Sequence, residues 1–190
     1  MTSAVIRPFG AAGDYYAMID YFHGASDELV VRMGVDRSRL PAREKWFETA
    51  WRDHQRAEDD PARERFFLAW ILDGEIVGHS SINQIKWGER AFAHLHLWRS
   101  DLRKEGIGSE FFRQSISFYF DRFNLQMINV EPNADNVAPN RVLEKLGFRF
   151  LKKYRTTPGP VNFEQVVNQY EIDRASWEKL GAISAAAVAP

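Results

Sequence analysis

Cysteine is absent from this 190-residue chain. Disulfides, thiolate-bound zinc and a cysteine nucleophile are therefore excluded, and a reducing compartment fits. An excess of one charge is also missing: 25 Lys+Arg stand against 26 Asp+Glu, a formal net charge of -1. No bulk field marks nucleic acid or an anionic membrane as the main partner. No stretch approaches the ~20 apolar residues of a membrane span. The N-terminus, MTSAVIRPFGAAGDYY, lacks a cationic segment leading into a long apolar one. The expectation is a cytoplasmic protein with no membrane and no nucleic-acid partner. What is present, 45% hydrophobic and 27% charged residues, is globular and sufficient for one core. A single domain is expected over 1–180 and an Ala-rich tail over 181–190, since ISAAAVAP carries no helical stripe.

The pattern along the chain reads as strand, helices, three strands, helix, strand, helix, two strands. Ala4 to Phe9 alternate as a first strand. Residues 11 to 58 are mostly helical in pattern, with Asp14 placed to cap YYAMIDYF and Pro41 placed early in a stretch that aligns Trp46, Phe47, Ala50 and Trp51. Asp73-Gly74 between FFLAWIL and EIVGHSSI predicts a hairpin through a type I′ turn. A third strand, Ala91 to Trp98, sets Phe92, His94, His96 and Trp98 on one side. RSDLRKEGIGSEFFRQSISFYFDRF runs into a helix, LQMINVEP is a short strand, and VAPNRVLEKLGF is a helix that Gly147 stops. A Pro-Gly loop joins the last two strands. The class is α/β, a mixed sheet with helices on its faces.

Arg103-Lys104-Glu105-Gly106-Ile107-Gly108-Ser109 stands between a strand and a helix. Glycines there let backbone N–H groups face outward, and the helix start adds partial positive charge, so the turn suits a diphosphate. It is not a Walker loop, because no GK[ST] follows, and not a GxGxxG fingerprint, because position 111 is Phe. RKEGIG resembles the R/Q-x-x-G-x-G/A motif of the GNAT superfamily. Some thirty residues on, the segment from Asn136 to Phe148, NVAPNRVLEKLGF, is similar to that family's second motif, in the form of the ribosomal-protein N-terminal acetyltransferase branch. The likeness runs from about Val5 to Ile172.

The resemblance implies a GNAT (acyl-CoA N-acyltransferase) fold with a mostly antiparallel sheet. It implies direct acetyl transfer from acetyl-CoA to a primary amine, on a small molecule or a protein N-terminus. Main chain at His96, Leu97 and Trp98 would bond the pantetheine arm, amides from Lys104 to Ser109 would hold the diphosphate beside Arg103, and Asn136 would bond the cofactor arm. The family often dimerises, so a homodimer is admissible. Two departures stand out: Leu143 occupies the place of the tyrosine acid found in many members, and Pro139 a place often filled by Ser or Ala. No dense acidic cluster is present to argue for a strongly cationic acceptor.

The attacking amine must lose a proton, and histidine, with an unperturbed pKa of about 6.5, is suited to accept it. His94 matches one of the two strand histidines of serotonin N-acetyltransferases and is the first choice as base. His96 is the fallback and Glu131 a third candidate, through water. A rival reading gives His94 and His96 to a metal, with His79 as third ligand; a metal-independent enzyme is the expectation. Another rival is a non-catalytic acyl-CoA-binding or sensing module on the same fold, which the missing tyrosine favours.

Overall fold

The Asp73-Gly74 pair does turn the chain back on itself. Both residues have positive φ, 49° and 87°, and Leu72 pairs with Glu75 across the turn. The computed structural model describes residues 4–102 and 106–186. Before this hairpin come strand β1 (Ala4–Pro8), helices α1 (Ala12–Gly24) and α2 (Asp27–Arg32), a 3-10 turn at Arg37–Arg39, and helix α3 (Arg43–His54). The hairpin strands are β2 (Arg65–Leu72) and β3 (Glu75–Lys86), followed by β4 (Arg90–Leu97), α4 (Ile107–Arg122), β5 (Met127–Val130), α5 (Val137–Lys145), β6 (Arg149–Thr156), β7 (Gln165–Asp173) and α6 (Arg174–Ala186).

The sheet has seven strands in the order β1-β2-β3-β4-β5-β7-β6. Every neighbouring pair is antiparallel except β4 and β5. That parallel pair needs a crossover, and α4 supplies it.

Period-two alternation divides the strands between two apolar clusters. Phe66, Leu68 and Trp70 of β2 join Phe111, Phe112, Ile116, Tyr119 and Phe120, the buried stripe of α4. Phe67 and Ala69 face the opposite way, toward Tyr15, Met18, Ile19 and Phe22 of α1 and Ala50 of α3. Full burial of each such side chain contributes roughly 1.5–3 kcal/mol, so both helix layers are held by apolar contact.

Two sequence expectations change. Asp14 is not the N-cap of α1; Ala11 is, and Asp14 stands at the third helical position. There its carboxylate accepts from the amides of Gly10 and Ala11 and pairs with Arg7 at 2.8 Å. Burial pushes this carboxyl up, but the bonds from Arg7 and the two amides outweigh it and hold it below its usual range. The second change is α6, which periodicity did not bring out. It runs on to Ala186, past the start of the expected tail. Among the described residues no helix is long and apolar enough to cross a membrane.

Candidate active site

β4 and β5 pair only at Arg90–Met127, Ala91–Ile128 and Phe92–Asn129. Beyond Phe92 the strands part and leave a gap in the middle of the sheet. Alternation decides which β4 main-chain groups face it. Trp98 donates its amide to Val77 on the β3 side, and the register is regular from Leu97 back to Phe92. Residues two apart point the same way, so Trp98, His96 and His94 direct their main chain toward β3. Leu97, Leu95 and Ala93 direct theirs into the gap. Of the three residues expected to bond the pantetheine arm through main chain, only Leu97 is so placed, and Leu95 joins it.

One end of the gap meets the start of α4. Gly106 is the N-cap with φ 80°, a left-handed conformation that costs a residue with a Cβ. Ser109 and Glu110 donate back to the Gly106 carbonyl. The amides of Ile107 and Gly108 are left without helical partners, as in any first turn. A Cβ at Gly106 would stand 3.9 Å from the Lys145 ammonium, which brings a cation to this turn. A Cβ at Gly108 would meet only Leu97 Cδ2, at 3.8 Å. Arg103, Lys104 and Glu105 lie outside the described residues.

Asn136 is the N-cap of α5, and its side chain makes no capping bond. Its loop is pinned by Asn140, which periodicity did not single out. The buried Asn140 amide donates to the carbonyls of Asn133 and Asn136 at 3.0 and 2.8 Å. Its Oδ1 accepts from Asn168 at 2.7 Å. Leu143, one turn on, is fully buried in the α4-side core, so the family's tyrosine position holds a packing residue.

The gap opens on the α1–α3 face into a cleft of about 500 Å³. Its floor is ordered by register. Arg65, Asn83 and Phe92 form one rung across β2, β3 and β4; Phe67, Ser81 and His94 form the next; Ala69, His79 and His96 form the third. Phe22 and Trp46 of the helical layer overhang it. A second wall comes from the β6–β7 connection. Asp36 donates to Val161 at 2.8 Å, and Gln165 and Asn162 both donate to the Gly34 carbonyl. A Cβ at Gly34 would overlap the Gln165 amide at 2.0 Å, so only glycine allows this closure.

The three histidines differ in their partners. Trp98 Nε1 donates to His79 Nδ1 at 2.9 Å, which makes His79 neutral with its proton on Nε2. His96 stacks on His79 with ring centroids 4.8 Å apart and packs edge-on against Phe22. His94 is different: its Nε2 is buried and has no hydrogen-bond partner. Burial, then neighbouring His96 and His94, hold His79 well below the usual range. Burial and Arg65 push His94 down to about 4, and burial with His94 pushes His96 to about 3.

Glu131 lies in the cleft wall and accepts from the Tyr154 hydroxyl at 2.6 Å. Burial and Glu131 raise Tyr154 to about 12. Among the described residues, no group of three or more His, Asp or Glu is disposed to hold a metal ion.

The arrangement has relatives. Three of the solved structures that share the fold do so over nearly their whole length. An aminoglycoside acetyltransferase in complex with coenzyme A aligns at TM-score 0.70 and 15% identity, over 93% of this chain and 98% of its own. The ribosomal-protein acetyltransferase RimL, also with coenzyme A, gives 0.70 and 16%, over 90% and 94%. Spermidine N-acetyltransferase from Vibrio cholerae, with CoA and spermine, gives 0.74 and 12%, over 92% and 98%. No curated protein sequence matches the chain. The sequence profile of the acetyltransferase (GNAT) domain matches residues 4–149. With the parted strands, the glycine turn at α4 and a family match over most of its length, the chain belongs to the GNAT acetyltransferases.

Proposed function

We propose that this protein is an N-acetyltransferase that moves the acetyl group of acetyl-CoA directly to a primary amine seated in the cleft. The observation that carries this reading is the gap between β4 and β5, which leads from the open amides at the start of α4 to the unpartnered His94 ring. The relatives act on an aminoglycoside, on spermidine and on a ribosomal protein's α-amino group. An amine acceptor is their common chemistry.

In this reading the Ile107 and Gly108 amides hold the diphosphate, and Lys145 adds charge. Main chain of Leu95 and Leu97 bonds the pantetheine arm as an added strand would, and the Asn136 side chain bonds it from the other side. The amine nitrogen attacks the thioester carbonyl, the C–N bond forms, and the C–S bond breaks. The amine proton goes to His94 Nε2, directly or through water. A histidine pushed down to about 4 is neutral at working pH and keeps its lone pair. It takes the proton once bond formation has made the nitrogen acidic. Leu143 supplies no acid, so the coenzyme A thiolate leaves unassisted or takes its proton from water.

Leu143 also favours the second reading, a non-catalytic acyl-CoA-binding module. One experiment separates the two: thiol release from acetyl-CoA across an amine panel, with binding measured by calorimetry. Gly108→Glu has room for its Cβ and sets a negative charge at the first turn of α4. It is expected to weaken acetyl-CoA binding at least tenfold, ~1.4 kcal/mol, in a folded protein. Unchanged affinity would overturn the cofactor assignment. Tight binding with no thiol release from any amine would favour the binding module.

A further inference from the structure

On the cleft floor three polar groups have no side-chain partner among the described residues. Among the described residues, Asn83 Oδ1 and His94 Nε2 are the two buried side-chain atoms without a hydrogen-bond partner. Native interiors keep few such atoms, because each costs about 1–3 kcal/mol. Both line the cleft, on adjacent rungs of the β3–β4 pair. Asn83 Oδ1 is an acceptor, and so is His94 Nε2 in the neutral tautomer that carries its proton on Nδ1. A primary amine offers two N–H donors while its lone pair attacks, and this pair of acceptors matches it.

The third group is Arg65, directly across from Asn83 on the same face. Only its main chain is hydrogen-bonded: its amide donates to Asp53, and its carbonyl accepts from Arg63. No ion pair among the described residues includes its guanidinium, although other arginines form many. The carboxylate facing it across the cleft, Glu131, is engaged by Tyr154; Glu64 stands exposed at the rim. Lys45 of α3 and Arg39 also line the cleft, and Arg39 is paired with Asp36.

We propose that the Arg65–Asn83–His94 diagonal is an acceptor subsite for a small primary amine that also carries an anionic group, a carboxylate or a phosphate. The proposal rests on the acetyltransferase reading above. Asn83 and His94 take the two N–H bonds, and the Arg65 fork takes the anion in the paired geometry that guanidinium favours. Asn83 is a direct cross-strand neighbour of Arg65, ~5 Å away at Cβ, and a diagonal neighbour of His94, ~7–8 Å away, so an amine seated between Asn83 and His94 stands one strand from the Arg65 fork. A polyamine would set its ammonium groups against Arg65.

The test is thiol release from acetyl-CoA with matched acceptors: α-amino acids, their α-amides, the decarboxylated amines, O-phosphoethanolamine and spermidine. The best anionic amine is expected to exceed its own neutral counterpart about 10- to 100-fold in kcat/KM, the worth of hydrogen bonds to a charged group. O-phosphoethanolamine against the amino acids separates phosphate from carboxylate. Arg65→Gln is expected to bring the anionic acceptor down to the level of its amide, with Arg65→Lys between. Asn83→Ala is expected to raise KM for anionic and neutral amines alike. Neutral amines or spermidine as the best acceptors would overturn the subsite, as would an anionic preference that survives Arg65→Gln. Acetyl-CoA affinity, measured by calorimetry on the same protein, keeps the two claims apart. A folded chain that does not bind acetyl-CoA overturns the functional reading, whereas one that binds it without preferring anionic amines overturns only the subsite.

Discussion

The two faces of the β2–β3–β4 sheet treat polar groups in opposite ways. On the α4 face, Ser115 Oγ accepts from Trp70 Nε1 and Ser80 Oγ and donates to the Phe111 carbonyl. Ser80 is already donating, so the Tyr119 hydroxyl donates to it at 2.8 Å. On the cleft face, three residues further along β3 and on neighbouring β4, nothing completes Asn83 Oδ1 or His94 Nε2. The closed face spends its hydrogen bonds on specifying a core. The open face keeps acceptors unspent, at a cost in stability that a ligand can offset.

Substitutions on the two faces are therefore expected to separate activity from stability. The largest effect is on rate: His94→Ala is expected to slow acetyl transfer about 100- to 10,000-fold, with acetyl-CoA affinity nearly unchanged and little loss of stability. A wild-type rate in this variant would return proton acceptance to solvent or Glu131. On the closed face, Phe111 is fully buried and stacks on Trp70. Phe111→Ala is expected to cost about 3–5 kcal/mol in urea unfolding, and a loss under 1 kcal/mol would show that the two faces are equally tolerant.

Acid should act on the open face first. His79, His94 and His96 all have folded-state values below the 6.5 of the unfolded chain. Between 6.5 and about 4 the unfolded state takes up protons that the folded state refuses, so stability falls as pH falls through this window. The Asp14 contribution is present above 3.8 and is lost only below it. Urea midpoints at pH 7.5, 5.5 and 4.5 that do not decline would contradict the burial of these rings.

Smaller effects sharpen the contrast. Ser115→Ala strands Trp70 Nε1 and Ser80 and is expected to cost about 1–3 kcal/mol. Asn83→Leu removes an orphan acceptor and is expected to leave stability within about 0.5 kcal/mol of wild type while impairing acceptor turnover. If it destabilises as much as Ser115→Ala, Asn83 is a structural residue and the open face is not a ligand site.

Much was already written in local chemistry. The Asp73-Gly74 turn, the α4 stripe, the glycine turn at 106–108 and the Asn136–Phe148 segment are all short-range signals, because each depends on φ/ψ demands or periodicity within one element. The fold class and the family followed from them. Arg65 and Asn83 did not. Counting back from the Leu72–Glu75 pair places Arg65 opposite Ile82, but a register shift between Trp70 and Ile71 moves it to Asn83. One extra residue in a strand carries every later side chain to the other face. The same blindness applies to main chain: only the pairing with β3 shows that Leu95 and Leu97, rather than His96 and Trp98, face the gap. The cleft wall, where Gly34 meets Gln165, joins segments far apart in the chain. The sequence by itself determined most of the elements and the glycine turn at the start of α4, since those are properties of neighbouring residues. Tertiary structure alone decided which polar atoms are left unpaired, because a missing partner is defined by everything packed around the atom.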